Sequence, residues 1–577
     1  MMVLPNDASG AALRPPPSGP EWAAAAAAAA SASLAACGGG GGTDSTAPGP
    51  SPISPVTPVA PTAPVGLTRA EASRLLGQAT FAATDASIAR LQALGASVWL
   101  DEQFAAPRST SRYEWMLGAG YGDVANINSF KGADNALWRK LIASPDALRQ
   151  RVTLALTEIF VISMAGLPIS WRGFIVAAYV DTLEAHAFGT YRDLLQAVTL
   201  SPGMGLYLNL RGNQKGDAST GRQPDENYAR EVLQLLSIGL VELAADGTPR
   251  SSALSAGPVD TYNQATITDL ARVFTGWDFE GFNRTEPGYV QRAMVLNASK
   301  HDTGSKTFLG TTVPAGTDGV TALRLALDAI AGHANVGPFI GRQLIQRLVA
   351  SHPSAAYVGR VSAVFADNGA GVRGDLKAVI KAVLLDPEAR APVSATPTAA
   401  DTTRGKLREP VQRFVQWARS FGLTSPTDLW NVGDLSDPAS KLGQSPLRSP
   451  SVFNFFRPGY VPPNSALATA GITAPEFQIT NESTVMGWAN FMQTAVVNGV
   501  GETRPDYTAE LALAADAPAL VARVVLLLAA DGLAAGTAGV VTDAVATLSA
   551  ATDAGKLNRV RAAVHLVLCA PDYLVQV

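Results

Sequence analysis

The chain reads as a mainly α protein: a large multi-helical body of one or two lobes, with few strands and long Gly/Pro-rich loops. Three observations predict this. Apolar residues recur at helical spacing in segment after segment. Strand-like alternation is scarce, and no series of βαβ units can be traced. The stretches 209–223, 279–303 and 442–464 are rich in Gly, Asn and Pro, and irregular connections of that length often carry function.

Residues 1–36 read as a signal peptide. The stretch 22–36 is apolar and small, short of the ~20 residues a membrane-spanning helix needs. Leu34, Ala35 and Ala36 place small residues before Cys37, as lipoprotein-type signal peptidases require, which makes Cys37 the expected lipidation site. Several acyl chains on one residue give a durable anchor where a single chain gives a marginal one. The lead-in departs from the usual basic pattern, with Arg14 set against Asp7 and Glu21. Residues 37–64 then form a tether. A glycine run at 38–42 supplies a swivel, and Pro48, Pro50, Pro52, Pro55, Pro58, Pro61 and Pro64 favour polyproline II, which extends ~3.1 Å per residue.

Residues 65–577 are the helical domain, more than the ~100–200 residues of an ordinary one. Thr68 and Glu71 form a capping box opening LTRAEASRLLGQATF, whose apolar face begins at Leu75 and Leu76. Ser144-Pro145-Asp146 reads as a cap with proline at the first position of a buried helix through LRQRVTLALTEIFVIS. Helical spacing continues in TYRDLLQAVTL, ITDLARVFTGW, GPFIGRQLIQRLVA, RGDLKAVIKAVLLD, PVQRFVQWARSFG and the Ala/Leu-rich stretch 507–530.

Charge and cysteine content bound the function. A net charge of −4, with 16% charged residues, provides no basic field to hold nucleic acid. With Cys37 lipidated, Cys569 stands alone in an apolar run and is expected to pack as a small hydrophobe.

The densest polar constellation is PDENYAREVLQLLSIG at 224–239. On a helix, Asn227, Arg230, Glu231 and Gln234 fall on one stripe, while Tyr228, Val232, Leu233, Leu235 and Leu236 cover the rest. A helix that apolar is expected to be buried, with the stripe paired internally or lining a cleft. GAGVRG at 369–374 matches the dinucleotide-binding pattern. It follows Val358, Val361, Val364 and Phe365 at helical spacing, so a helix-ending turn is the better reading. The five histidines, His186, His301, His333, His352 and His565, lack zinc-site spacing. His301-Asp302 in HDTGSKTFLG is the best candidate for acid–base work or a mixed imidazole and carboxylate metal site, though a turn-fixing histidine is the commoner case. G-x-S-x-G and the P-loop pattern are absent. Phe453, Phe455, Phe456 and Tyr460 in SPLRSPSVFNFFRPGYVPP are read chiefly as core plugs.

Taken in order, FGTYRDLLQAVTLSPGMGLYLN, GRQPDENYAREVLQLLSIGL, LARVFTGWDF, HDTGSKTFLG, the run 333–390 and LGQSPLRSPSVFNFFRPGY resemble the bacterial domain of unknown function 1800 family. The resemblance implies a mainly helical exported protein with no established activity. It also implies a shared envelope pathway with proteins of the domain of unknown function 1501 family, which resemble sulfatases and phosphatases. Matching positions are Asn227, Tyr228, Arg230, Glu231, Gly276, Trp277, His301, Asp302, Gly304, Lys306 and His333. Two departures stand out. Many members carry an aromatic-His-x-His-Phe pattern where this chain reads Leu156, Thr157, Glu158, Ile159 and Phe160, and Glu where it has Gln234.

The leading expectation is a lipid-anchored envelope protein with a binding or accessory role. Asn227, Arg230, Glu231, His301 and Asp302 would form its polar cleft, with Gln234 and Lys306 as further ligand contacts. The alternative is a cell-surface hydrolase acting on a glycan or ester. Glu231 or Asp302 would then be the base and His301 the acid, with His301, Asp302 and His333 as candidate metal ligands.

Overall fold

Thr68 begins the ordered architecture as the sequence predicts. Its hydroxyl accepts the Glu71 N–H at 3.2 Å while the Glu71 carboxylate accepts the Thr68 N–H at 2.8 Å, opening the helix Arg69–Thr80. Ala72, Leu75, Leu76 and Ala79 are buried on its inner face, against the helices Ala147–Ile159 and Ala517–Ala529. The Ser73 hydroxyl donates to Leu526 O at 2.6 Å, joining residues 453 positions apart.

The computed structural model describes residues 66–252, 257–392 and 404–577. Residues 1–36, Cys37 and the tether 37–64 lie outside the described residues. Val65–Val577 is one compact unit, with an apolar core that draws on residues from Ala72 to Tyr573. The fold is mainly α. Its strands, among the described residues, are three antiparallel pairs: Trp277–Asp278 with Val295–Leu296, Lys306–Phe308 with Thr311–Val313, and Lys406–Leu407 with Val575–Gln576. The last pair ties the C-terminus into the core, where the Gln576 amide donates to Leu348 O at 3.0 Å.

Two local readings meet tertiary corrections, and a third, the turn at GAGVRG, is borne out. The helix predicted from Ser144-Pro145 starts at Ala147. Ser144 closes the preceding helix Ala133–Ala143 instead, and its hydroxyl bonds the Asp146 carboxylate, which also takes the Gln150 amide and so does not cap. The helix predicted across 224–239 spans only Asn227–Gln234. The chain turns off where the Ile238 and Gly239 N–H groups both bond Leu233 O, with Gly239 at φ +73°. Leu235 and Leu236 therefore lie in the turn, and the polar stripe faces partly outward instead of being buried. GAGVRG is the turn after the helix Ala355–Ala366. Asp367 Oδ1 accepts the Gly369 and Gly371 N–H groups, and Asn368 Oδ1 those of Ala370 and Val372. The protein's own side chains fill the cradle that a phosphate would need.

Candidate functional site

The connection between the helices Pro202–Tyr207 and Asn227–Gln234 folds into an open cleft of about 450 Å³. Its lining carries amides from Asn209, Asn213, Gln214 and Gln223, guanidinium groups from Arg211 and Arg222, and one carboxylate, Asp225. Asn213 pins the loop: its Nδ2 donates to Asp225 O at 3.1 Å and its Oδ1 accepts the Asp225 N–H at 2.8 Å. Asp225 in turn accepts the Asn227 N–H at 2.8 Å, which starts the helix. From behind, the Gly276 N–H donates to Asn213 O at 2.8 Å and the Gly212 N–H to Trp277 O at 2.9 Å. Gly276 sits at φ +92°, and a Cβ there would lie 2.8 Å from Asn297 O, so this position admits only glycine.

Arg211 is held beside the cleft by Asp278 at 2.8 Å, with its guanidinium over the rings of Phe279 at 4.3 Å and Phe282 at 5.9 Å. Phe282 is exposed. The side-chain amides of Gln214 and Gln223 make no hydrogen bond within the protein.

On the adjoining helix the predicted stripe divides. Arg230 reaches Glu226 and Gln264 at 3.4 Å each, and Glu226 is further held by the Gln264 amide at 2.8 Å and the Thr268 hydroxyl at 2.8 Å. Asn227 uses its backbone N–H on Asp225, while Gln234 is half-buried at the helix end. Glu231 differs from both. Its Oε2 is buried without a partner, and burial raises its pKa against the opposing pull of Arg230. The Tyr262 hydroxyl is buried without a partner too, and its pKa is raised by burial and by the charge of Glu231.

His301 and Asp302 do not join this group. The helix Gln264–Val273 stands between them, with Gln264 against Arg230 at one end and Arg272 against Asp302 at the other, about 12 Å along the axis at ~1.5 Å per residue. Asp302 takes the Arg272 guanidinium through both oxygens at 3.1 and 3.0 Å and the Gly304 N–H at 2.9 Å. Burial opposes its ionisation, yet Arg272, Gly304 and Lys306 hold it below the usual carboxylate range. Lys306 is fully buried, donating to Gly304 O at 3.1 Å and to Asp302 O, and burial lowers its pKa. His301 is buried and donates from Nδ1 to Thr275 O at 3.0 Å, leaving Nε2 without a partner. Burial lowers its pKa as well. His333 accepts the Asn335 N–H at 3.1 Å and receives Arg373 on its carbonyl at 2.9 Å, which fixes the turn into the helix Val336–Leu348. Among the described residues no three His, Cys, Asp or Glu side chains converge as a metal set.

A family model described as Protein of unknown function (DUF1800) matches residues 74–575. The chain belongs to the DUF1800 family. No curated protein and no solved structure matches it.

In this DUF1800 chain a second polar assembly lies deep in the core, around Glu158. Glu158 meets Arg347 at 3.2 Å, Lys406 meets Glu476 at 2.8 Å and Glu409 at 3.9 Å, and the Gln444 amide donates to Glu409 at 2.8 Å. Burial and the neighbouring Glu409 push Glu158 well above the usual carboxylate range. For Glu409 burial is outweighed by Lys406, Glu158 and Arg151, which bring it to about 2. The two carboxyls therefore titrate as a pair, with Glu158 displaced upward and Glu409 downward. One signal was available in sequence: Arg151 and Glu158 lie two turns apart on a helix that also carries Leu148, Val152, Leu154, Ala155, Leu156 and Ile159, all buried. The cleft residues left a weaker one, since the loop 209–223 stood out by composition but not by any motif.

Of the remaining features, Phe456 is a core plug beneath Arg347, with the guanidinium 4.5 Å from its ring, whereas Phe453 is exposed. Cys569 is half-buried, and burial pushes its thiol up.

Proposed function

We propose that this DUF1800 protein is an exported binding protein of the cell envelope, lipid-anchored through Cys37, whose 209–225 cleft takes a hydroxyl-rich ligand such as a glycan segment. The observation that carries the reading is an open cleft in which Gln214 and Gln223 keep unpaired amides beside Arg211 and Arg222. Amide and guanidinium groups bond adjacent hydroxyls in pairs, and Phe282 offers a ring against an apolar sugar face. Asp225 is the cleft's lone carboxylate and is already engaged, whereas glycoside hydrolysis ordinarily uses two facing carboxyls.

Calorimetric titration of soluble oligosaccharides tests the reading. Saturable binding that disappears in Gln223→Ala and Arg222→Gln is the expected result; unchanged affinity in both folded variants would refute it. Membrane attachment has its own test, since Cys37→Ala should release the protein from the membrane fraction and abolish lipid labelling. Co-purification from the native membrane tests a partner of the domain of unknown function 1501 family.

A second reading, a surface hydrolase of glycans or esters, is favoured by Glu231, whose unpartnered oxygen and raised pKa suit a general acid. It requires a folded but inactive Glu231→Gln protein. A folded variant with full activity would remove Glu231 from that role.

A further inference from the structure

A cavity of about 350 Å³ lies where the helices Arg69–Thr80, Asp85–Leu94, Ala96–Ala105 and Pro410–Ser420 meet the start of Ala147–Ile159. That volume is at the lower end of the ~300–1,000 Å³ usual for small-molecule sites. Its charged lining is wholly basic: Arg90 and Arg419 face it, and no Asp or Glu does. Arg90 is balanced by Glu102 at 2.8 Å on the outer surface.

Arg419 is not balanced. Its guanidinium donates only to the neutral carbonyls Leu141 O at 2.6 Å, Ser144 O at 3.0 Å and Lys140 O at 3.5 Å, and it makes no ion pair. The acid whose charge it feels, Asp146, is taken up by Ser144, Gln150 and Arg149. Burial pushes Arg419 down to about 10, which leaves it cationic at neutral pH. Two further donors in the lining have no partner: the Gln103 amide and the indole N–H of Trp99, a residue only 3% exposed. Leu76, Ile142 and Leu423 supply an apolar wall.

A half-buried cation with no ion-pair partner, unpaired donors around it and an apolar wall describe the complement of one kind of molecule. We propose that this cavity binds a small amphipathic anion, a carboxylate or phosphate monoester head on an apolar body, with the head at Arg419. The site is separate from the 209–225 cleft and does not depend on the function proposed for it.

Calorimetry on the full chain with octanoate, octyl phosphate, octanol and octyltrimethylammonium tests it. At least one anion should bind at a single site, about tenfold or more tighter than octanol or the cation, and the tighter anion identifies the head group. Arg419→Gln should weaken that anion about tenfold. Because Arg419 also closes the end of the helix Ala133–Ala143, Arg90→Gln is the paired variant; its side chain is 57% exposed, so the fold should tolerate the change, and it should weaken the anion severalfold. Octanol binding as tightly as both anions, no saturable binding of either anion, or unchanged anion affinity in folded Arg90→Gln and Arg419→Gln would each overturn the proposal.

Discussion

The loops 301–306 and 209–225 are both irregular, polar and glycine-containing, and they spend their hydrogen bonds in opposite ways. In the first, Asp302 is closed by Arg272 and Gly304, and Lys306 by backbone carbonyls. That loop is a clasp on the helix Gln264–Val273. In the second, the backbone is pinned by Asn213 and Gly276 while the amides of Gln214 and Gln223 stay unpaired. Polar density therefore does not mark a site. Side chains that an open cleft presents and the fold leaves free to bond do, as with Gln214 and the exposed Gln223, because a ligand can take over the bonds they make to water.

Four measurements break or sharpen this contrast. The largest effect should come from Asp302→Ala, which takes the two-oxygen partner from Arg272, leaving it Asp269 and Ser305 O, and removes the charge 3.8 Å from the buried Lys306; a loss of about 3 kcal/mol is expected by denaturant titration. A loss below about 0.5 kcal/mol would remove the clasp from the account. Gly304→Ala comes next. A Cβ there would sit too close to Arg272 Nη2, and overpacking of this kind costs about 2 kcal/mol, read from the same titration.

The third is the pH dependence of stability. Asp302 has a lowered pKa when folded, so its contribution is present above the unfolded value of 3.8 and is lost as pH falls through the folded one. His301 is also lowered when folded, so the unfolded chain binds its proton first, and stability falls as pH drops below 6.5. Thermal melts from pH 7.5 downward should show both declines. His301→Gln should flatten the upper one, and an unchanged slope there would assign it to other groups. The smallest effect on stability belongs to the cleft: Arg222→Gln and Gln223→Ala should stay within about 0.5 kcal/mol of the parent while losing oligosaccharide binding. Destabilisation of 2 kcal/mol or more would make the cleft a second clasp.

Legibility in sequence followed the range of the interaction. Thr68 and Glu71 announce their helix because a capping box closes within three residues. GAGVRG was readable as a turn because the helix before it shows in the spacing of Val358, Val361 and Phe365. Helix 227–234 was overextended because Leu235 and Leu236 continue the apolar pattern past the point where Gly239 turns the chain. His301-Asp302 and Glu231 were grouped because all are polar and belong to the family motifs, yet the structure puts a helix between them.

The sequence by itself determined the mainly α class, the positions of several helices, the family and the loop in which the cleft is built, since each rests on spacing, short-range capping or a run of local motifs. Tertiary structure alone decided which polar groups are used up and which are left open. Asp302 finds Arg272 across 30 positions, and Arg419 finds Leu141 across 278. No periodicity encodes such pairings, because they depend on how separate helices pack and on which backbone carbonyls that packing leaves without a donor.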